Sequence, residues 1–261
     1  MNKFYLIDKP LNYSSFDIIR VLRKKLNIKK MWHTGTLDPL ATGGLLIATW
    51  NYTKLISYFE KDKKIYEFTI SLNWITDSYD LWEKVTYLDE KLQKKFKKEL
   101  TKSYINEKLQ ENFTWKIIQI PPKYSALKIN GKRACDLVRE GINVDIKSRE
   151  IEIFNIEILD FNYPLLKLKA EVSAWTYIRS IASDLGNILS TWWYITELRR
   201  TDIWSLSIKL WQNLDDFDEK KDLDIKELFK NKDFINLDKN ILYKINNWLK
   251  VTWKFDYPKE K

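Results

Sequence analysis

The sequence has very little of the side-chain chemistry on which most metal sites and covalent nucleophiles depend. Its 261 residues include one cysteine, Cys135, and one histidine, His33. A disulfide within the chain and a zinc site of cysteine and histidine ligands are therefore excluded. A cysteine–histidine pair or a histidine triad would have to use this one histidine, and no acidic spacing indicates a carboxylate-bound metal.

Long apolar runs are also lacking. The longest, around residues 45–48, is far shorter than the roughly 20 residues that cross a bilayer. The N-terminus passes into the Asp8-Lys9-Pro10 turn without the apolar stretch of a signal peptide. We therefore expect a cytoplasmic protein without membrane association. With 44% hydrophobic and 31% charged residues, the chain can still bury a core.

Glycine is scarce and tryptophan is abundant. The chain has 6 glycines and 12 tryptophans. Average usage would give about 7% glycine, or roughly 18 residues in a chain of this length. The two observed counts together equal that expectation.

The charge is unbalanced towards the basic side. Lysine and arginine number 45 against 36 acidic residues, which gives a formal net charge of +9. Such a surface is typical of a protein with a polyanionic partner such as a nucleic acid. Lysine selected for solubility, or by genome composition, explains the same excess.

The pattern of elements predicts an α+β fold. Strand patterns and helix patterns follow one another without regular βαβ alternation. Tyr66, Phe68, Ile70 and Leu72 share one face of a strand by period two. Ser14, with Asp17 three residues on, predicts the start of a helix. Strands are predicted over 3–8, 45–49, 64–72, 117–120, 150–160, 165–173 and 203–210, and helices over 14–26, 89–112, 133–140 and 177–190.

The composition changes after residue 212. Residues 213–224 are rich in aspartate, which is typical of a solvated linker or an exposed face. We therefore predict a main domain over residues 1–212 and a small C-terminal appendage over residues 213–261.

Four sequence blocks carry the functional signal. They are HTGTLDPLATG at 33–43, LIDKP at 6–10 with Ser14 and Ser15, IPPKYSALK at 120–128, and TYIR at 176–179 with LRRT at 198–201. Taken in their order along the chain, they resemble the TruB family of tRNA pseudouridine synthases. The resemblance covers about residues 3–210 and implies the pseudouridine synthase fold, a mixed, mostly antiparallel central sheet flanked by helices.

The resemblance also implies a reaction. The family breaks the bond between ribose and the uracil nitrogen, turns the base, and rejoins it through carbon, at position 55 in the T-loop of tRNA. This isomerisation imports no group and oxidises nothing, so no cofactor and no metal are expected. It needs a carboxylate as nucleophile or charge stabiliser and an extruded uridine.

The resemblance assigns the catalytic carboxylate to Asp38. Taken alone, Asp38 before Pro39 is also a common turn residue. The family's arginine at Arg179 pairs with this aspartate, and a guanidinium can bind a carboxylate through two parallel hydrogen bonds. An exposed helix position is the alternative for Arg179. Tyr66 matches the family's active-site tyrosine, which stacks on the base, although a core aromatic would show the same periodicity.

Four further residues are implied to bind the substrate. His33 matches a histidine that fills the space left by displaced bases, although a lone histidine is more often structural. Tyr177 and Leu198 match residues that line the uracil pocket. Lys9 matches a lysine near that pocket, with a solvated phosphate contact as its alternative.

Tryptophan stands where the family motifs have glycine. This holds directly before the HTG and TYIR blocks, and similarly at other turns. We hypothesise that many of these codons are UGA, read as glycine in the source organism, whereas tryptophans that stack on RNA bases are the alternative. The positions concerned are Trp32, Trp50, Trp115, Trp175, Trp192, Trp193 and Trp204.

Three functions remain open at this point. The first is a stand-alone, monomeric synthase that acts on tRNA without a protein partner, in line with the short C-terminal segment. The second is a synthase of the same fold that acts on another RNA. The third is a non-catalytic tRNA-binding or folding protein that retains the cleft.

Overall fold

The structure is a computed structural model that describes residues 2–60, 63–75, 86–203, 206 and 210–228. The chain separates into two units, Met1–Leu223 and Asp224–Lys261. No helix in the described part is long and apolar enough to cross a membrane.

Strands and helices are interleaved along the first unit, as predicted for an α+β chain. The strands are β1 (Phe4–Lys9), β2 (Met31–His33), β3 (Ala41–Thr49), β4 (Lys64–Ser71), β5 (Trp74–Ile75), β6 (Thr86–Tyr87), β7 (Trp115–Gln119), β8 (Lys128–Ile129), β9 (Lys132–Arg133), β10 (Arg149–Asn162), β11 (Leu165–Val172), β12 (Tyr194–Ile203) and β13 (Gln212–Asn213). The helices are α1 (Ser15–Leu26), α2 (Ser57–Glu60), α3 (Glu90–Glu99), α4 (Lys102–Asn112), α5 (Ala134–Arg139), α6 (Ile178–Ile188) and α7 (Ile225–Leu228), with a 3-10 turn at Trp50–Leu55.

The main sheet has nine strands in the order β13-β1-β3-β12-β4-β11-β10-β7, and β2 pairs with β3 outside this path. Two of its pairings, β1 with β13 and β3 with β12, are parallel, and the others are antiparallel. The predicted mixed, mostly antiparallel sheet flanked by helices is therefore confirmed. The parallel β3–β12 pair lies in the middle of the sheet, where Ala41 is opposite Leu198.

Helix α1 begins as its sequence predicts. The Ser14 side chain accepts a hydrogen bond from the Asp17 amide, and the Asp17 carboxylate accepts one from the Ser14 amide, which completes a capping box. Its apolar stripe, which includes Ile18 and Leu22, packs on Tyr5 of β1 and on β3. This packing fixes the loop before β3 against the start of α1.

A second and larger core covers the remaining strands. Side chains of β4, β10, β11 and β12 pack with those of α3, α4 and α6. The predicted face of β4 is confirmed, since Phe68, Ile70 and Leu72 are fully or almost fully buried. Tyr66, on the same face, is 8% exposed and marks the point where this core reaches the surface.

Some predicted boundaries were wrong. The helix predicted over 89–112 is two helices, because Thr101 accepts a hydrogen bond from the Tyr104 amide and caps a new start. The strand predicted over 45–49 begins at Ala41. Ile203, the first residue of the strand predicted over 203–210, is the last residue of β12, whose extent from Tyr194 was not predicted. Within 204–210, the structure describes only residues 206 and 210.

Three tryptophans occupy the left-handed region of the backbone. The φ angle is 50° at Trp50, 61° at Trp115 and 67° at Trp175. Glycine adopts this region freely, whereas a residue with a Cβ is strained there. The glycine hypothesis therefore has a backbone signature at these three positions.

The other tryptophans in the hypothesis differ. Trp32 lies in β2 without a positive φ, and Trp193 is 5% exposed within the large core. Trp192 also has no positive φ and packs against the same core. Trp204 is outside the described residues. Backbone geometry gives no support for glycine at positions 32, 192 and 193.

Candidate active site

Asp38 lies in the loop between β2 and β3, and the start of α1 holds this loop in place. The Ser15 hydroxyl donates to the Leu37 carbonyl (3.1 Å) and accepts from the Leu37 amide (2.8 Å). The Asn12 amide donates to the Pro39 carbonyl at 2.9 Å. Because the residues on both sides of Asp38 are bonded to the 12–15 segment, its backbone has a fixed position.

Lys9 contacts the same loop through a buried ammonium group. Its side chain has 0% exposure, and its ammonium donates to the carbonyls of Pro10 (3.0 Å), Tyr13 (2.6 Å) and Pro39 (3.4 Å). Burial, only partly offset by the charge of Asp38, lowers the Lys9 pKa to about 8. Lys9 does not line the cavity, and a solvated phosphate contact, the alternative for this residue, is wrong for a fully buried side chain.

Arg179 reaches the Asp38 carboxylate from the first turn of α6. Its Nε donates to Asp38 Oδ2 at 2.8 Å. The Arg179 side chain is 8% exposed, and that of Asp38 is 33% exposed. The alternative of an exposed helix position is therefore wrong for Arg179. Within the described part of the chain, Asp38 Oδ1 has no hydrogen-bond partner. The bond to Oδ2 therefore orients the carboxylate, and Oδ1 is left without a protein donor.

A cavity of about 320 Å³ lies over this ion pair. It is large enough for one nucleoside, since ligand pockets run from about 300 Å³ upwards. Of the seven predicted site residues, six line it and Lys9 does not. The six are His33, Asp38, Tyr66, Tyr177, Arg179 and Leu198.

The sheet register brings Tyr66 and Leu198 close together on neighbouring strands. Leu198 of β12 lies opposite Phe68 of β4, and Arg200 lies opposite Tyr66 two residues along. Tyr66 and Leu198 are 8% and 7% exposed, so each shows only a small part of its side chain to the cavity. A flat aromatic ring and an aliphatic side chain at the cavity wall suit a planar base.

His33 lies at one side of the cavity, with its ring stacked on that of Trp32 at 5.5 Å between centroids. Burial, together with the positive charge of Arg200, lowers the His33 pKa to about 4. His33 is therefore neutral near pH 7, and its buried Nδ1 has no partner among the described residues.

Several cavity residues were not predicted. Arg200 is 1% exposed, and its guanidinium donates to the carbonyls of Gly44 (2.8 Å) and Gly35 (3.0 Å). Arg149 and Lys64 also line the cavity. Arg200 stood in the LRRT block, which was a usable signal. Arg149 and Lys64 stand in ordinary strand sequence, so only the sheet register brings them to the site.

Two tryptophans flank the cavity mouth. Trp32 and Trp175 line it and are 50% and 61% exposed. Side chains as large as these narrow the access of a macromolecular substrate. No group of three potential ligands among the described histidines, cysteines and acidic residues is placed to hold a metal ion.

Comparison with known families agrees with this geometry. Residues 23–178 match the model of the TruB family pseudouridylate synthase N-terminal domain. The tRNA pseudouridine synthase B of Clostridium tetani is 42% identical over 220 residues, which are 84% of this chain and 74% of that protein. The protein of the same name from Endomicrobium trichonymphae is 41% identical over 204 residues, 78% of this chain and 86% of that protein.

Solved structures share the fold at lower identity. A chain of a Cbf5-Nop10-Gar1 complex superposes with a TM-score of 0.61 at 24% identity. The match covers 82% of this chain and 53% of that chain, so this chain spans about half of that protein's length. This likeness concerns the fold alone.

Proposed function

This chain belongs to the TruB family of pseudouridylate synthases, and we propose that it isomerises the T-loop uridine of tRNA at position 55 with Asp38 as the catalytic carboxylate. The observation that carries the proposal is the Asp38–Arg179 pair at 2.8 Å in the wall of a nucleoside-sized cavity. An ion pair with only a structural role does not need its carboxylate partly exposed to a cavity, as that of Asp38 is.

The reaction exchanges one bond to the ribose for another. The bond from C1′ to N1 of the uracil breaks, and a bond from C1′ to C5 forms. C5 loses its proton, and N1 gains one, so atoms and electrons balance without a cofactor. Asp38 either attacks as a nucleophile or stabilises the positive charge that develops at the sugar. Arg179 holds the carboxylate in one orientation throughout.

The wall of the cavity suits an extruded base. Tyr66 and Leu198 offer apolar surface, and the neutral His33 ring stacked on Trp32 offers an aromatic edge. Extrusion costs the stacking energy of the base, and contact with such surfaces offsets part of that cost. We propose that Tyr66 stacks on the uracil, with Tyr177 and Leu198 enclosing it.

The charge of the molecule supports a nucleic-acid substrate. The net charge of +9 includes lysines at 24, 25, 29 and 30, which lie exposed at the end of α1 and just beyond it. Backbone phosphates are their natural partners, although Lys25 also donates to the Leu214 carbonyl at 2.7 Å. We propose that the first unit is the catalytic domain of a cytoplasmic monomer that needs no protein partner; it extends past the predicted boundary at residue 212, because Asn213 of β13 pairs with Asp8 of β1.

The direct test is a map of pseudouridine in an unmodified tRNA transcript incubated with the purified protein. We expect one pseudouridine, at position 55 in the T-loop, and none when that uridine is replaced by cytidine. Incubation with rRNA fragments in parallel tests the alternative substrate class. Modification of rRNA alone would overturn the tRNA assignment, and binding without any pseudouridine would favour the non-catalytic alternative.

A further inference from the structure

The segment that carries Tyr177 and Arg179 is held by two side chains from neighbouring strands. Gln119 is the last residue of β7, and Arg149 is the first residue of β10. The two are directly opposite each other in the antiparallel register. Side chains at such positions lie on the same side of the sheet, within reach of one target.

Gln119 makes two hydrogen bonds with the main chain of one residue. Its Oε1 accepts from the Tyr177 amide at 2.8 Å, and its Nε2 donates to the Tyr177 carbonyl at 3.1 Å. Gln119 has 0% exposure, so the amide has no contact with water. Tyr177 is the N-cap residue of α6, and its own side chain makes no capping bond. Gln119 therefore fixes the direction in which α6 begins.

Arg149 contacts the same segment at two further points. Its Nη2 donates to the carbonyl of Trp175, and its guanidinium lies over the Tyr177 ring at 4.9 Å from the centroid. A cation over an aromatic ring restrains the ring as well as the charge. The residue that follows β7 adds a third restraint, since the Ser180 hydroxyl donates to the Ile120 carbonyl at 2.8 Å.

These restraints converge on the catalytic pair. Arg179 is two residues after Tyr177, in the first turn of α6, and donates to Asp38 at 2.8 Å. Arg179 is 8% exposed and so has little room to compensate for a shift of its helix. A displacement of the α6 start would therefore reach the carboxylate directly. Misplacement of reacting groups by about 1 Å can cost on the order of 10²-fold in rate.

Resting on the function proposed above, we propose that Gln119 and Arg149 are positioning residues that set the Arg179 guanidinium against Asp38 through the main chain of residues 175–177. Neither touches the carboxylate. Gln119 does not line the cavity, so its loss changes the rate of the chemical step while the affinity for tRNA stays the same. Arg149 also lines the cavity, so its loss affects the contact with the substrate as well.

The chain offers a matched control for Gln119. Gln212 is 7% exposed and also bonds the main chain twice, accepting from the Asp218 amide at 2.9 Å and donating to the Lys221 carbonyl at 2.7 Å. It does not line the cavity. Gln119→Met and Gln212→Met each remove one accepted and one donated main-chain hydrogen bond. The two sites are similarly buried, and methionine has a side chain of similar length. Only the first removes them from α6.

The experiment measures single-turnover pseudouridine formation and the tRNA dissociation constant for the wild type and both variants. We expect Gln119→Met to be slower by on the order of 10²-fold and Gln212→Met to stay within about 3-fold of the wild type, with both dissociation constants unchanged. Equal rates for the two variants, or a weakened affinity as the main effect of Gln119→Met, would overturn the proposal.

A double-mutant cycle with Arg179→Lys identifies the route of the effect. If Gln119 acts through Arg179, Gln119→Met adds little to the rate loss of Arg179→Lys, whereas independent effects multiply. Multiplying effects would overturn the proposal. If Gln119→Met does not fold, Arg149→Met, at a partly exposed position, takes its place in the same cycle. An inactive wild type would instead contradict the proposed function itself.

Discussion

Arg179 Nε lies 2.8 Å from Asp38 Oδ2, a contact between residues 141 positions apart in the sequence. The two belong to separate elements, the β2–β3 loop and helix α6, each fixed by its own hydrogen bonds. This pair is the point at which the two halves of the site meet.

Replacement of Arg179 by lysine should lower the rate of pseudouridine formation by on the order of 10²-fold. Lysine keeps the charge but cannot donate from the Nε position in a fixed plane. Single-turnover rates and tRNA binding are the measurements. Binding should stay unchanged, because Arg179 is nearly buried behind the carboxylate. A rate within about 3-fold of the wild type would show that orientation of Asp38 is not limiting.

Two variants of Tyr66 distinguish stacking on the base from proton transfer and from a purely structural role in the core. Tyr66→Phe keeps the ring and removes the hydroxyl, whereas Tyr66→Leu removes the ring. If stacking is the role, the phenylalanine variant keeps the rate within about 10-fold and the leucine variant loses on the order of 10²-fold. A large loss in both variants would assign a proton-transfer role to the hydroxyl. Little loss in either would make Tyr66 a core residue only.

His33 should make stability depend on pH. Its ordinary pKa of 6.5 falls to about 4 in the folded chain, because burial disfavours the charged form. The unfolded chain therefore binds a proton between these values that the folded chain does not. The free energy of unfolding should fall as pH is lowered from about 6.5 through about 4, by on the order of 3 kcal/mol.

The control for this prediction is His33→Gln, which keeps a polar side chain of similar reach without the titration. Urea unfolding at several pH values should give a shallower decline for the variant than for the wild type over this window. Parallel curves for the two proteins would contradict the neutral, buried state of His33.

Replacement of a tryptophan that has a positive φ by glycine should stabilise the folded protein. Trp115 and Trp175 are 80% and 61% exposed, so their removal loses little buried surface while relieving a left-handed Cβ. Trp115→Gly and Trp175→Gly should each raise the free energy of unfolding by about 1 kcal/mol. Trp32→Gly, in a strand with ordinary φ, is the control and should not stabilise.

The Trp175→Gly variant should also react faster with tRNA, because Trp175 stands at the cavity mouth. UGG codons at positions 32, 115 and 175 of the coding DNA would end the idea that these residues are recoded glycines. Equal stability and turnover of the tryptophan and glycine proteins would contradict the physical argument itself.

The sequence was sufficient for the residues that stand in compact blocks. Asp38 and Arg179 were predicted with the right partner because each stands within an extended motif. The fold class followed from the order of strand and helix patterns. These signals are local, and local patterns survive without knowledge of tertiary contacts.

What the sequence did not predict depends on contacts across the sheet. Gln119 and Arg149 act on Tyr177 only because β7, β10 and α6 meet at one edge, and no spacing in the sequence encodes that meeting. Lys9 was expected near the substrate, yet its ammonium is buried against the carbonyls of Pro10, Tyr13 and Pro39, and the contact with Pro39 of the Asp38 loop is not encoded in its motif. The break at Thr101 was missed because a capping threonine inside a charged helical run looks like a surface residue.

We propose that the Asp38 carboxylate performs the chemistry and does not hold the RNA. Since C5 of the uracil loses its hydrogen during the reaction, tRNA labelled with tritium at C5 releases it to water at each turnover. Asp38→Asn should release no tritium above background while binding the tRNA with the affinity of the wild type. Release at the wild-type rate, or loss of binding together with activity, would contradict the account.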